Sequence, residues 1–256
     1  MTLRAITLQD SVVYGPIQSR RLGSSLGINP LPTTSKVCSS NCVYCQYGWT
    51  TTAPSSERLK RAPELLNLIE EALKIIVRNA VPIHSITFAG NGEPTLHPDL
   101  EALVAGTRQL RDRYLPSASL SILSDATQLY RPAVRRALAL LDRRYLKLDA
   151  GDETMWRRIN LPLGNATWAQ LIDGIKATPD SILQSLFMQG SYDNTQEDHV
   201  ERWIDLVGTL RPLSVQVYTV DRAPADAGVL EVPKSRLEAI ASRLTTRTGI
   251  PADVYD

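Results

Sequence analysis

Short apolar, β-rich runs alternate along the chain with longer stretches whose apolar positions recur at helical spacing. The runs at residues 26–30, 85–89, 120–123, 145–149, 182–188 and 213–219 read as strands. After the first, Leu65, Leu68, Ile69, Ala72, Leu73 and Ile76 fall at helical spacing behind Pro63, a residue favoured in a first helical turn. Further helices are expected at 98–111, 131–141, 153–159, 168–175, 194–210 and 234–244. Asn194, with Glu197 three residues on, reads as the N-cap of the helix that runs to Leu210. Strands alternating with helices predict βαβ units and a parallel sheet. A complete barrel of this kind has eight units. Six predict an α/β fold of the open, partial (β/α)6 TIM type. With no internal repeat, low-complexity tract or linker, residues 1–256 read as a single domain, and residues 1–23 as a leading segment packed on the barrel. Residues 221–233 read as a loop.

The two-residue period of a strand places Lys147 and Asp149 on one face of the fourth strand and Leu146 and Leu148 on the other. The leucines suit the face covered by helices, which turns the lysine and aspartate inward. A buried Lys–Asp pair is costly unless it binds something. The expectation is that Asp149 lies against a ligand or in an ion pair beneath it.

Composition narrows the class without naming a function. With 43% apolar and 21% charged residues, the 256-residue chain is that of an ordinary globular protein with enough length for a barrel-sized core. A net charge of +1 gives no overall signal for nucleic acid, although Arg20-Arg21, Arg111 to Arg113 and Arg143-Arg144 form local basic clusters. No apolar run approaches membrane-spanning length, and no signal-peptide pattern opens the chain. Together with reduced cysteine chemistry, this predicts a cytoplasmic protein.

The chain's three cysteines lie within eight residues, as Cys38-Ser-Ser-Asn-Cys42-Val-Tyr-Cys45. An odd number in one short loop argues against a disulfide framework. Three thiolates can wrap one small inorganic core. A [4Fe–4S] cube usually takes four cysteines, so three leave one iron without a protein ligand. Open positions of that kind are where substrates bind in catalytic metal sites. A Cys3His zinc site remains open, with His84, His97 and His199 as candidate fourth ligands. So does a redox pair formed by Cys42 and Cys45.

The other candidates fall at strand ends, where β/α barrels carry their active sites. Gly90-Asn91-Gly92-Glu93 follows the second strand. Small residues there let the backbone approach a ligand, and Glu93 can accept from an ammonium group. Ser124-Asp125 follows the third strand and can meet hydroxyls or be a polar helix cap. Met188-Gln189 ends the fifth, and Tyr218 the sixth, with Asp221-Arg222 beyond.

The C-x3-C-x-Y-C run resembles the signature of the radical S-adenosylmethionine (SAM) superfamily. Tyr14 to Gly23, Ser25 to Ile28, Ala89 to Pro98, Lys147 to Glu153 and Val217 to Arg222 resemble, in order, segments of its wyosine-synthase-like group. The resemblance implies a partial barrel with one [4Fe–4S] cluster on Cys38, Cys42 and Cys45, its fourth iron chelated by SAM. It implies an external one-electron reductant of flavodoxin or ferredoxin type, and a 5′-deoxyadenosyl radical that abstracts hydrogen from substrate. It further implies that the glycine–glutamate motif, Gly90 to Glu93, meets the SAM amino group and that Tyr44 lies near the adenine. Asp125 departs from the group's Thr-Asn or Ser-Asn. Met188, in the core or against adenine, and Gln189 are candidate cofactor contacts. Wyosine synthases of this group carry a second cluster with its own cysteines, and none are left here. That favours a small-molecule or peptide substrate over tRNA. Arg20, Arg21, Tyr47 and Arg222 are candidate substrate contacts, and Tyr47 and Tyr218 candidate hydrogen donors. RNA modification, and a non-catalytic iron–sulfur or zinc protein, remain the alternatives.

Overall fold

The computed structural model describes residues 6–50 and 57–256. In chain order the elements are β1 (Val13–Ser19), β2 (Gly23–Ile28), α1 (Ala62–Arg78), β3 (Ser85–Phe88), a 3-10 turn (Pro94–Leu96) and α2 (Leu100–Tyr114). Then come β4 (Ser119–Ser124), α3 (Pro132–Ala139), β5 (Arg143–Lys147), α4 (Glu153–Asn160), α5 (Trp168–Lys176), β6 (Ile182–Leu186) and β7 (Gln189–Gly190). The chain continues through α6 (Glu197–Leu210), β8 (Ser214–Tyr218), β9 (Val229–Leu230), α7 (Lys234–Thr248) and β10 (Ala252–Tyr255).

Eight strands form one sheet in the order β1-β2-β3-β4-β5-β6-β8-β10, curled into an open half-barrel. From β2 to β10 every pairing is parallel, with helices in the crossovers. Six β/α units are present, as the periodicity predicts, but the sheet extends beyond them at both edges. The segment before residue 23 supplies β1, paired antiparallel to β2, where a packed appendage was expected. Its first five residues lie outside the described ones. At the other edge, β10 follows Pro251 and pairs with β8.

Strand alternation separates two chemistries. Leu26, Ile28, Ile86, Phe88, Leu120, Ile122, Leu146, Leu183, Val215 and Val217 are buried in the apolar core with the helices. The alternate positions are buried too, but polar. Ser25, Ser85, Thr87 and Ser121 share a hydroxyl network with oxygen–oxygen distances of 2.9–3.1 Å. Gln184 donates to Gln216 at 2.7 Å across β6 and β8. Satisfied pairs of this kind are how polar groups survive burial. On α1 the buried set is Ala62, Leu65, Ile69, Leu73 and Ile76; Leu68, expected on that face, is exposed.

Gln196, and not Asn194, is the N-cap of α6. The Asn194 side chain is committed to the sheet. Its amide nitrogen donates to the carbonyls of Asp149 (3.0 Å) and Leu186 (2.9 Å), and its oxygen accepts from Met188 N (2.8 Å). Three buried backbone groups outcompete one exposed helix end for the same side chain.

Candidate active site

A cavity of about 430 Å³ opens at the carboxyl ends of the parallel strands, within the usual range for small-molecule sites. Cys38, Cys42, Tyr44 and Cys45 of the loop after β2 line it. So do Gly90, Gly92 and Glu93 after β3, Ser124 and Asp125 at the end of β4, Lys147 of β5 and Tyr218 of β8. Arg20, Arg21, Tyr47 and Arg222 line the same space.

The cysteine loop is held by its backbone, which leaves its thiols free to face the cavity. Val37 N donates to Asn91 O (2.8 Å), Asn41 N to Asn160 O (3.0 Å) and Val43 N to Ile159 O (3.0 Å). Ser39 and Ser40 each donate a hydroxyl to Asp125 Oδ2 at 2.8 Å. The second glycine of the motif after β3 belongs to this docking. Gly92 sits at φ +134°, and a Cβ there would lie 1.7 Å from Val37 O. Only glycine lets the two segments meet.

All three cysteines are free thiols. Burial, followed by the charges of Asp125 and Cys42, pushes Cys38 upward. Burial pushes Cys42 up to about 12, although Asn160 donates to its sulfur at 3.4 Å. Only metal coordination deprotonates such thiols near neutral pH. Among the described residues no three His, Cys, Asp or Glu side chains converge on a single-ion position. All three thiols line the cavity. The histidines are engaged elsewhere: His84 accepts from Ser24 N, His97 bonds Lys60 O and Asp99 N, and His199 contacts Arg202.

Beneath the loop, Asp149 joins four parts of the fold. Its side chain is wholly buried and pairs with Lys147 Nζ at 3.1 Å. Oδ1 also accepts from Leu186 N (2.8 Å), and Oδ2 from Asn160 Nδ2 (2.8 Å) and the Tyr44 hydroxyl. Lys147 donates to Tyr218 Oη at 2.5 Å and lies 4.5 Å from the Tyr44 ring centre. Burial opposes the charge on Lys147, but Asp149 and Tyr218 outweigh it and leave its pKa raised. Lys147 therefore stays protonated at neutral pH. Leu146 and Leu148 are in the apolar core, so the strand register follows the expected alternation. Asp149 lies below the cavity wall, in the ion pair.

Glu93 faces the cavity with only 2% of its surface exposed. Oε1 accepts from Thr95 N (3.0 Å), Thr95 Oγ1 (2.6 Å) and Ser124 Oγ (2.9 Å), and Oε2 from Asp125 N (2.6 Å). Burial, then the charge of Asp125, pushes its pKa up to about 8 despite those donors. A cation brought beside it would restore the charged form.

Two expected ligand contacts, Asn91 and Gln189, do not line the cavity, and Met188 takes the core position. Asn91 is fully buried and donates to Gln9 O (2.8 Å) and Pro32 O (3.0 Å). Met188 is fully buried in the core and Gln189 pairs with Leu230 in a separate two-stranded ribbon; neither lines the cavity. The chain leaves β6 at Leu186, two residues earlier than the apolar run suggests, and turns away from the site. Asp125 lines the cavity, but Ser39, Ser40 and Thr127 claim its oxygens, Thr127 N at 2.9 Å. Sequence reasoning missed Asn160, which joins Cys42, Tyr44 and Asp149. An asparagine before Leu-Pro at a helix end reads as a stop signal, and nothing local marks its second use.

A half-barrel whose strand ends gather a three-cysteine loop and a buried glutamate defines the radical SAM class of enzyme. The Radical SAM superfamily model matches residues 33–207, and the chain belongs to that superfamily. It is 31% identical over 221 residues to a UPF0026 protein of Methanocaldococcus jannaschii, covering 84% of this chain and 65% of that one. It is 32% identical over 211 residues to a UPF0026 protein of Synechocystis sp., covering 80% and 74%. Among solved structures it is similar in fold to TYW1 with a lysine-pyruvate adduct bound (TM-score 0.61, 14% identity, 88% and 74% covered). It is likewise similar to Streptococcus suis SuiB bound to S-adenosylmethionine (TM-score 0.63, 15% identity, 90% and 50% covered). The superfamily's cofactors are SAM and an iron–sulfur cluster. Among the described residues no helix is long and apolar enough to cross a membrane.

Proposed function

We propose that Cys38, Cys42 and Cys45 hold one [4Fe–4S] cluster at the rim of the cavity and that SAM binds beside it. When bound, this pair supplies a 5′-deoxyadenosyl radical that removes hydrogen from a small-molecule or peptide substrate. The observation that carries the reading is the pairing of three free thiols with Glu93 in one cavity. Three thiols leave an iron for a chelating ligand. Glu93, buried and pushed up to about 8, is a carboxylate suited to the SAM ammonium group. Gly90 and Gly92 bring backbone to the same point, and the Tyr44 ring forms a wall fixed by Asp149 and Asn160. Lys147 orients Tyr218 as a protonated donor; it is not an amine nucleophile. The electron comes from an external flavodoxin- or ferredoxin-type reductant, and a reducing, cytoplasmic setting suits the thiols.

Anaerobic reconstitution tests the reading. It is expected to give about four irons and four sulfides per chain, and Cys→Ser at 38, 42 or 45 to abolish uptake. Dithionite with SAM should then release 5′-deoxyadenosine. Stoichiometric zinc without iron uptake, or a reconstituted cluster indifferent to SAM, would overturn it.

A further inference from the structure

Among the described residues five cationic side chains line the cavity: Arg20, Arg21, Lys36, Lys147 and Arg222. Lys147 is neutralised by Asp149 at 3.1 Å. Arg20 pairs with Asp221 at 2.6 Å, and Lys36 donates to Gly48 O at 2.6 Å. Arg222 reaches only the edge of the same Asp221 carboxylate, at 4.0 Å. The rim formed by these three arginines thus carries a single acidic partner.

Arg21 differs from the rest. Its guanidinium lies 4.5 Å over the Tyr218 ring, and among the described residues it makes no ion pair and no side-chain hydrogen bond. One of its nitrogens, Nη1, is covered by protein without an acceptor. A guanidinium offers five donors in a rigid planar fork that matches the oxygens of carboxylate and phosphate. Stacking on an aromatic face fixes that plane while leaving its edge available. The Tyr218 ring is itself anchored through its hydroxyl by Lys147. Of the three carboxylates lining the cavity among the described residues, Asp221 stands at the arginine rim, while Glu93 accepts from Asp125 N and Asp125 accepts from the Ser39 and Ser40 hydroxyls of the cysteine loop. The cavity therefore carries two carboxylates at the cysteine loop and, at its rim, one carboxylate among three arginines.

We infer that the substrate is an organic anion whose carboxylate or phosphate docks on the Arg21 guanidinium, with Arg222 as the second cation. This rests on the catalytic reading of the cavity and names the chemical class that it accepts. A charged group held at Arg21 places the rest of a substrate toward the cysteine side, across the cavity.

The test uses reconstituted protein saturated with SAM, titrated calorimetrically with inorganic phosphate and, separately, propionate at constant ionic strength. One or both are expected to bind saturably. Arg21→Gln should weaken that binding at least tenfold with SAM affinity unchanged, and Arg21→Lys, which keeps the charge but loses the fork, should fall between. Binding of phosphate alone assigns a phosphorylated substrate, and of propionate alone a carboxylate. No saturable binding by the wild type, equal binding by a folded Arg21→Gln, or a tenfold loss of SAM affinity in that variant overturns the inference. The last outcome would mean that Arg21 serves the SAM carboxylate. If the protein binds no SAM, the catalytic reading fails, and the same titrations without SAM still decide whether Arg21 takes anions.

Discussion

Removing Asp149 should unfold the site before it slows any chemistry. In Asp149→Ala the ammonium of Lys147, whose side chain is 16% exposed, loses its counter-charge and keeps the Tyr218 hydroxyl and the Tyr44 and Tyr218 rings. Leu186 N loses its acceptor, as do Asn160 Nδ2 and the Tyr44 hydroxyl on that side. Breaking one side of a buried ion pair costs about 3–5 kcal/mol. At roughly 2.1 cal/mol/K per residue, 256 residues have an unfolding entropy of about 0.54 kcal/mol/K, so the melting midpoint should fall by about 6–9 °C. Asp149→Asn should lose less, because its oxygen still accepts from Leu186 N and Lys147 while its amide nitrogen opposes the Asn160 amide. Lys147→Met in the Asp149→Asn background removes the uncompensated charge and should recover part of the loss. The assay is thermal unfolding followed by circular dichroism at fixed protein concentration. A midpoint for Asp149→Ala within about 2 °C of wild type, equivalent to about 1 kcal/mol by the same conversion, would refute the hub and return Asp149 to a purely ligand-facing role.

Other outcomes follow from the same geometry. Glu93 has a folded pKa near 8 against 4.5 for the free side chain, so its contribution to stability is full below about pH 4.5 and is lost as pH rises toward 8. Between pH 5 and 8 the melting difference between Glu93→Gln and wild type, without SAM, should therefore move in favour of the variant; a pH-independent difference contradicts the raised pKa. Gly92→Ala forces a Cβ onto Val37 O at a φ that costs a non-glycine residue on the order of 1–3 kcal/mol before any clash. It should lower both melting temperature and iron uptake, and normal iron uptake would show that the loop docks another way. Asn160→Ala removes the N–H donor to Cys42 Sγ. With a cluster bound, its midpoint potential should shift negative, since hydrogen bonds to sulfur stabilise the reduced form; an unchanged potential would show that the contact does not persist in the loaded protein.

Much of the fold is written in local periodicity, and what is missing has identifiable causes. The strands at 85–89, 120–123 and 213–219 were legible because apolar residues fill their helix-facing positions and the ends carry turn residues. The strand Val13–Ser19 was not, since its Gly15-Pro16 pair argues against a strand and β1 tolerates it only at a sheet edge. The strand Ala252–Tyr255 is four residues long, and only its neighbour β8 makes it a strand. Motif and strand parity put the cysteines, Glu93, Lys147 and Tyr218 at strand ends, and the fold brings them to one cavity. Asn91 and Asn160 did not, because an asparagine's role depends on which backbone or thiol the tertiary fold brings to it. Gln189 falls outside the cavity because β6 ends at Leu186, two residues before the apolar run does, while Met188 is in the core.

The contact between Arg20 and Asp221 spans 201 positions of sequence, joining the first hairpin to the segment after β8. In kinetic terms this is a seam of very high contact order, and closing so long a loop carries an entropic cost that short-range strand pairs avoid. Both side chains are nearly half exposed, so the pair itself adds little to stability. The two edges of the half-barrel are therefore held far less by this pair than by the continuous strand pairing from β2 to β8. Along that seam lies the sequence-distant contact of Arg21 with the Tyr218 ring, so the cavity's rim is assembled from the two ends of the sheet.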